Sequence, residues 1–187
     1  MASGTVVALL LSLRSATAEV VCACPNQATC GVADLFRATV DPATFESTIP
    51  NPTNCVPDVN GHLEADVYIL FDALTSVQFP TITSLGGALR VTGAAGLTTL
   101  DLPALRHVGG YMWWQENPAL ATVNVPALES VDGYVKITAA QGLEVLQMSA
   151  LQSVGGYFWC QQNIALTSVD MPALESVDGY LKIQLNE

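Results

Sequence analysis

From Leu74 onward the chain repeats itself every 23 residues, and no gap is needed to hold the register. The units read LTSVQFPTITSLGGALRVTGAAG, LTTLDLPALRHVGGYMWWQENPA, LATVNVPALESVDGYVKITAAQG, LEVLQMSALQSVGGYFWCQQNIA and LTSVDMPALESVDGYLKIQLNE, the last one residue short. A unit of this length cannot bury its own apolar face, so the copies must stack into a solenoid with one continuous core. Each unit holds two segments of period-two alternation. In the first, Leu97, Leu100 and Leu102 recur as Leu120, Val123, Val125 and as Leu143, Leu146, Met148. Pro103, Pro126 and Pro172 end that segment, and Leu105, Leu128, Leu151 and Leu174 fill the corner behind it. In the second, Met112, Val135, Phe158 and Leu181 form one inward column, and Trp114, Ile137, Cys160 and Ile183 form another.

The column Gly87, Gly110, Gly133, Gly156 and Gly179 marks a place where φ is positive or a neighbouring backbone leaves no room for a Cβ. Fixed Pro and Gly positions, with no 3.6-residue apolar stripe, argue against helix. The expected fold is all-β, a right-handed parallel β-helix or leucine-rich-repeat-like solenoid. Asn117, Asn163 and Asn186 share a column that should be buried and bond turn backbones, interrupted by Ala94 and Ala140.

Residues between the inward columns must point outward. One outward column reads Ala88, Tyr111, Tyr134, Tyr157, Tyr180. The next reads Arg90, Trp113, Lys136, Trp159, Lys182, an alternation of cation and indole. The third is Thr92, Gln115, Thr138, Gln161, Gln184. The candidate ligand-binding residues are therefore Tyr111, Trp113, Gln115, Tyr134, Lys136, Tyr157, Trp159, Gln161, Tyr180 and Lys182. Exposed aromatic rings with amides and cations suit sugars, through ring stacking and hydrogen bonds from Gln115 and Gln161. They equally suit a protein partner, because Trp, Tyr and Arg dominate interface hot spots. The same columns also predict a self-stabilising ladder, with each cation–π contact worth about 0.5–1 kcal/mol at an exposed surface.

Charge limits the partners. Seventeen acidic residues against six basic ones leave a net charge of −11. That disfavours nucleic acid and anionic membrane surfaces, which need clustered Lys and Arg. Residues 1–18 read as a signal peptide, with an apolar core from Val6 to Leu13 and cleavage after Ala16-Thr17-Ala18. Its apolar stretch is too short to span a bilayer, and the expected location is extracellular or cell-wall associated. Cys22, Cys24, Cys30 and Cys55 precede the repeats and suggest two disulfides of open pairing. Their spacing matches no zinc motif, so neither metal nor cofactor is expected. Residues 19–54 are read as a disulfide-stapled N-terminal cap, with a short helix over Val32 to Ala38.

The pattern L-x-x-V-x-φ-P-A-L-x-x-V-x-G-Y-φ-x-φ-x-x-N resembles the receptor L-domain family. That family includes ligand-binding lobes of insulin-type and epidermal-growth-factor-type receptors and related fungal cell-wall proteins. Asn54-Cys55-x-x-x-Val59-x-Gly61-x-Leu63 is similar to the first rung of such a domain, with a three-residue insertion implied before Gly87. The resemblance covers residues 55–187 and implies a non-catalytic module that binds an extracellular protein or glycan, or serves as a scaffold. The last repeat lacks a polar cap, which points either to a longer chain or to self-association through an open C-terminal end.

Catalysis is not expected. Asp101 and Asp170 share a column but stand three rungs apart, and Asp132 and Asp178 stand two apart. His62 and His107 have no Cys, Asp or Ser partner at motif spacing, although Ser84, Ser130, Ser153 and Ser176 share His107's column. Columns of small hydroxyl residues (Thr75, Thr98, Thr167 and Ser76, Thr99, Thr122, Ser168) keep ice binding as a minor alternative on another face.

Overall fold

The computed structural model describes residues 18–23, 36–40, 60–64, 66–69 and 75–184, with the backbone alone for 18–23 and 36–40. The described chain is all-β and winds through about 5 turns of a solenoid. Every full rung contributes three strands rather than two, and like strands stack into three sheets. Asp66–Ile69, Leu89–Thr92, Met112–Gln115, Val135–Thr138, Phe158–Gln161 and Leu181–Ile183 form the long-strand sheet. Ser76–Gln78 opens a five-stranded sheet that ends with Ser168–Asp170. The third sheet is built from two-residue strands such as His107–Val108 and Ser130–Val131. Strands that short carry no readable alternation, so this sheet was hidden in the sequence.

Parallel neighbours pair residue to residue at the repeat length, as in Trp113 opposite Arg90 and Lys136. Apart from the buried Asn117 and Asn163, the interior is apolar: Leu97, Leu105, Leu120, Leu128, Met112, Trp114, Phe158 and Cys160 are all fully buried. Only the last rung departs from this pattern, because no further rung lies on it among the described residues. Leu181 is 53% and Ile183 38% exposed, although both occupy the inward columns.

Two corner devices hold the stack. Asn117 Nδ2 donates to Val91 O and its Oδ1 accepts the Ala94 N–H, both at 3.0 Å. Asn163 repeats this with Ile137 O and the Ala140 N–H. Each Asn therefore satisfies the corner of the preceding rung, where alanine stands in the same column. Asn186 lies outside the described residues. The glycine column acts through crowding: a Cβ on Gly110 would sit 2.7 Å from the Ala88 nitrogen. Positive φ occurs elsewhere, at Gly93, Glu116, Ala139 and Gln162, directly before the Ala/Asn corner.

Two expectations near the N-terminus are corrected. Phe36–Val40 is a strand, not the end of a helix, and pairs antiparallel with Ala18–Ala23. Ala18–Ala23 in turn pairs antiparallel with Asp66–Ile69. An open sheet edge offers a full row of backbone partners, which overrides weak local helix preference. The first rung also has no three-residue insertion before Gly87. Leu63 pairs with Leu85 and Val67 with Leu89, a spacing of 22, and Gly61 sits in a turn at φ 81°. The Ala18–Ala23 strand runs across the expected cleavage point. Residues 1–17 and Cys24, Cys30 and Cys55 lie outside the described residues, as does the side chain of Cys22. No helix among the described residues is long and apolar enough to cross a membrane.

Candidate functional site

The outer face of the long-strand sheet gathers all ten residues expected from the sequence. Tyr111, Trp113, Gln115, Tyr134, Lys136, Tyr157, Trp159 and Gln161 are half-buried there, and Tyr180 and Lys182 are exposed. Alternation places them: in Phe158–Gln161, Phe158 and Cys160 are buried while Trp159 and Gln161 face out. Parallel in-register pairing then sets like residues about 4.8 Å apart, a distance at which flat rings stack.

Four tyrosines form an unbroken pile. Successive ring centroids are 4.8, 4.7 and 5.0 Å apart with interplanar angles of 5°, 7° and 2°. Beside it, indoles and cations interleave. The Arg90 guanidinium lies 4.3 Å from the Trp113 ring centre. The Lys136 ammonium sits between Trp113 at 4.9 Å and Trp159 at 5.3 Å, and Lys182 covers Trp159 at 5.2 Å. The piles meet edge to face, with Trp159 6.2 Å from Tyr157 and 6.1 Å from Tyr180.

Ring faces point along the stack and, apart from the end faces of Tyr111 and Tyr180, are taken by the next ring or cation. The front of the sheet therefore presents mainly ring edges, tyrosine hydroxyls and cations. Gln115 is committed too: its Oε1 accepts from Trp113 Nε1 at 3.0 Å, and its Nε2 donates to Glu116 Oε1 at 2.7 Å. Gln161 stands in the matching place beside Trp159, yet Trp159 Nε1 has no partner. Ala88, at the head of the tyrosine column, is only 2% exposed, its methyl being too short to reach past its neighbours.

Burial, reinforced by the neighbouring Tyr111 and Tyr157 phenols and opposed by Arg90, pushes the Tyr134 hydroxyl up to about 12. Tyr157 is raised by burial and by Tyr180. These phenols stay protonated at neutral pH and can donate as well as accept. The sequence reading missed Tyr68 and Asp66, which extend the face one rung toward the N-terminus. Tyr68 stands opposite Arg90, and its hydroxyl donates to Asp66 Oδ2 at 3.0 Å. Asp66 Oδ1 accepts the Ala88 N–H at 2.6 Å. Burial, with Asp66 and Tyr111 adding to it, raises the Tyr68 phenol further than any other here. Alternating Val67 and Ile69 was the available signal, masked by the shorter first spacing.

The two-residue-strand sheet gives both histidines the partners that linear spacing concealed. His62 Nδ1 lies 2.7 Å from Ser84 Oγ, and its Nε2 lies 2.7 Å from Glu64 Oε2. His107 Nδ1 lies 2.9 Å from Ser130 Oγ, with Asp132 Oδ2 3.6 Å from Nε2. The serines are one rung on, 22 and 23 residues away, so no local motif could reveal them. The order serine, histidine, acid is that of an activated nucleophile. However, the N–H groups of Gly86, Asp132 and Gly133 are bonded to Leu63 O, Val108 O and Gly110 O. They supply no oxyanion donors beside the serines. A shallow cleft of about 290 Å³ lies farther along this face, lined by Asp132, Ser153, Gly155, Ser176 and Asp178.

On the five-stranded sheet the hydroxyl columns are partly spent. Thr98 Oγ1 donates to Thr75 O and Thr167 Oγ1 to Glu144 O, while Val145, 42% exposed, interrupts the other column. Cys160 is fully buried; burial pushes its thiol up to about 11, against the opposing bond from Asn163 Nδ2. Among the described residues no group of three or more His, Cys, Asp or Glu side chains could hold a metal.

No family model, no curated protein and no solved structure matches the chain.

Proposed function

We propose that the chain is a non-catalytic extracellular recognition module of the receptor L-domain type, engaging a glycan or protein through the outer face of its long-strand sheet. The observation that carries this reading is the concentration of five tyrosines, two tryptophans and three cations on one face. These are the side chains that dominate interface energetics. Because neighbouring rungs already hold the rings and ammonium groups in place, little side-chain entropy remains to be lost on binding. Contact runs through ring edges, hydroxyls and cations, since the ring faces are filled. The N–H groups of Gly86, Asp132 and Gly133 beside the serine–histidine–acid rows are already bonded within the sheet; on the non-catalytic reading an activated-serine probe labels neither Ser84 nor Ser130.

A second reading, a cell-wall or matrix scaffold, is favoured by the same filled ring faces, because a ladder satisfied within itself needs no ligand. The full chain screened against extracellular polysaccharides and proteins, beside Trp113→Ala/Trp159→Ala and Tyr134→Phe/Tyr157→Phe, separates the two. Recognition predicts a ligand whose binding weakens in the Phe variant, which keeps the rings and removes only edge hydroxyls. Absence of any ligand, with a large fall in Tm for the Trp variant, leaves the scaffold.

A further inference from the structure

We infer that the cation–indole column is a docking track for an extended anionic polysaccharide; this rests on the recognition reading and narrows it. The chain has six basic residues and a net charge of −11, yet Arg90, Lys136 and Lys182 occupy a single column. In so acidic a protein a carboxylate partner is easily found, and Arg106 has one, donating to Glu129 Oε1 at 2.6 Å. Among the described residues none of the three ladder cations makes an ion pair. Arg90 Nε donates to Thr92 Oγ1 at 3.0 Å, and otherwise the three rest against indole faces. A ring face stabilises a cation without consuming its N–H donors, so those donors remain for a group in front of the sheet.

Spacing narrows the class of ligand. The cations recur every second rung, about 9.6 Å apart on a straight line. Tyrosine hydroxyls run parallel on one side, and Thr92, Gln115 and Gln161 run on the other. A globular protein surface without internal repeats offers no translational spacing to match such a track. Nucleic acid carries a phosphate about every 3.4 Å along each strand, far denser than the cations. A neutral glycan would need open ring faces, and these are filled. A carbohydrate chain with carboxylates or sulfates at regular intervals fits on all three counts. Repulsion from the rest of the protein is screened beyond about 8 Å at physiological ionic strength, which leaves the local column to act.

The test measures binding of the full chain to polygalacturonate, dextran sulfate, unmodified dextran, a single-stranded oligonucleotide and an acidic protein. The two anionic glycans separate carboxylate from sulfate as the anion recognised. We expect an anionic glycan to bind at low salt and release at high salt, with dextran inert. Affinity should fall about tenfold or more in Lys136→Gln/Lys182→Gln, persist in Lys136→Arg/Lys182→Arg, and be unchanged in Arg106→Gln, a cation off the track. Equal binding of dextran, or tighter binding of oligonucleotide or acidic protein, overturns the anionic-glycan inference while leaving recognition intact. Equal losses in Arg106→Gln and the double Gln variant overturn it as general charge attraction. Binding to nothing in the set overturns it outright, and the wild-type preference alone decides the matter if the Gln variant fails to fold.

Discussion

Inside the long-strand sheet, residue identity changes from rung to rung, whereas outside it identity itself repeats. Met112, Val135 and Phe158 succeed one another in one buried column, and Trp114, Ile137 and Cys160 in the other, so bulk passes from column to column. The outer side of the same strands carries tyrosine four times running, beside a strict exchange of cation and indole. Burial rewards any apolar group that fills space, since the hydrophobic effect is non-directional. At the surface water competes for every contact, so only directional pairing between adjacent rungs gains anything, and that pairing requires particular residues.

Four measurements test this contrast. The largest effect should come from Phe158→Ala, about 3–5 kcal/mol in urea unfolding, as expected for a cavity in a packed core. A loss no greater than that of the outer variants would erase the distinction. Asn163→Ala should cost about 2–4 kcal/mol, because the Ala140 N–H and Ile137 carbonyl each lose a buried partner. If the corner instead relaxes, the loss will be no larger than for a surface residue.

On the outside, Tyr134→Ala breaks two stacked pairs and should cost about 1–2 kcal/mol. Tyr134→Phe, which retains the ring, should be nearly silent; equal losses would place the stabilisation in the hydroxyl and not the stack. The smallest effect is alkaline. Burial chiefly raises Tyr134 from its ordinary value of 10 to about 12, so below pH 10 its phenol is protonated in both folded and unfolded chains. As pH rises from 10 through 12 the unfolded chain sheds this proton first, and stability falls. Thermal melts against pH should show that decline, smaller in Tyr134→Phe; a flat profile would mean the ladder does not hold its phenols neutral.

Much of this was legible in linear form because a period-two strand stacked at a fixed repeat converts sequence position directly into face and neighbour. Inward Trp114 and Cys160, outward Trp113 and Trp159, and the bonding of Asn117 and Asn163 all follow from the 23-residue register. The first rung was misplaced because its spacing of 22 breaks that register, which hid Tyr68 and Asp66. The strand at Phe36–Val40 escaped notice because its pairing is antiparallel and distant, so no local pattern encodes it.

The 23-residue register alone dictates the stacked all-β architecture, the three outward columns and the residues that face one another between rungs. The closed stack of rungs sets how those side chains turn: tyrosine rings lie face to face, indoles are covered by cations, and Gln115 bends onto Trp113. It alone joined His62 to Ser84 and His107 to Ser130. The reason is that a repeat fixes where each Cα sits, whereas χ angles are chosen by contacts with neighbours that become adjacent only when the rungs close.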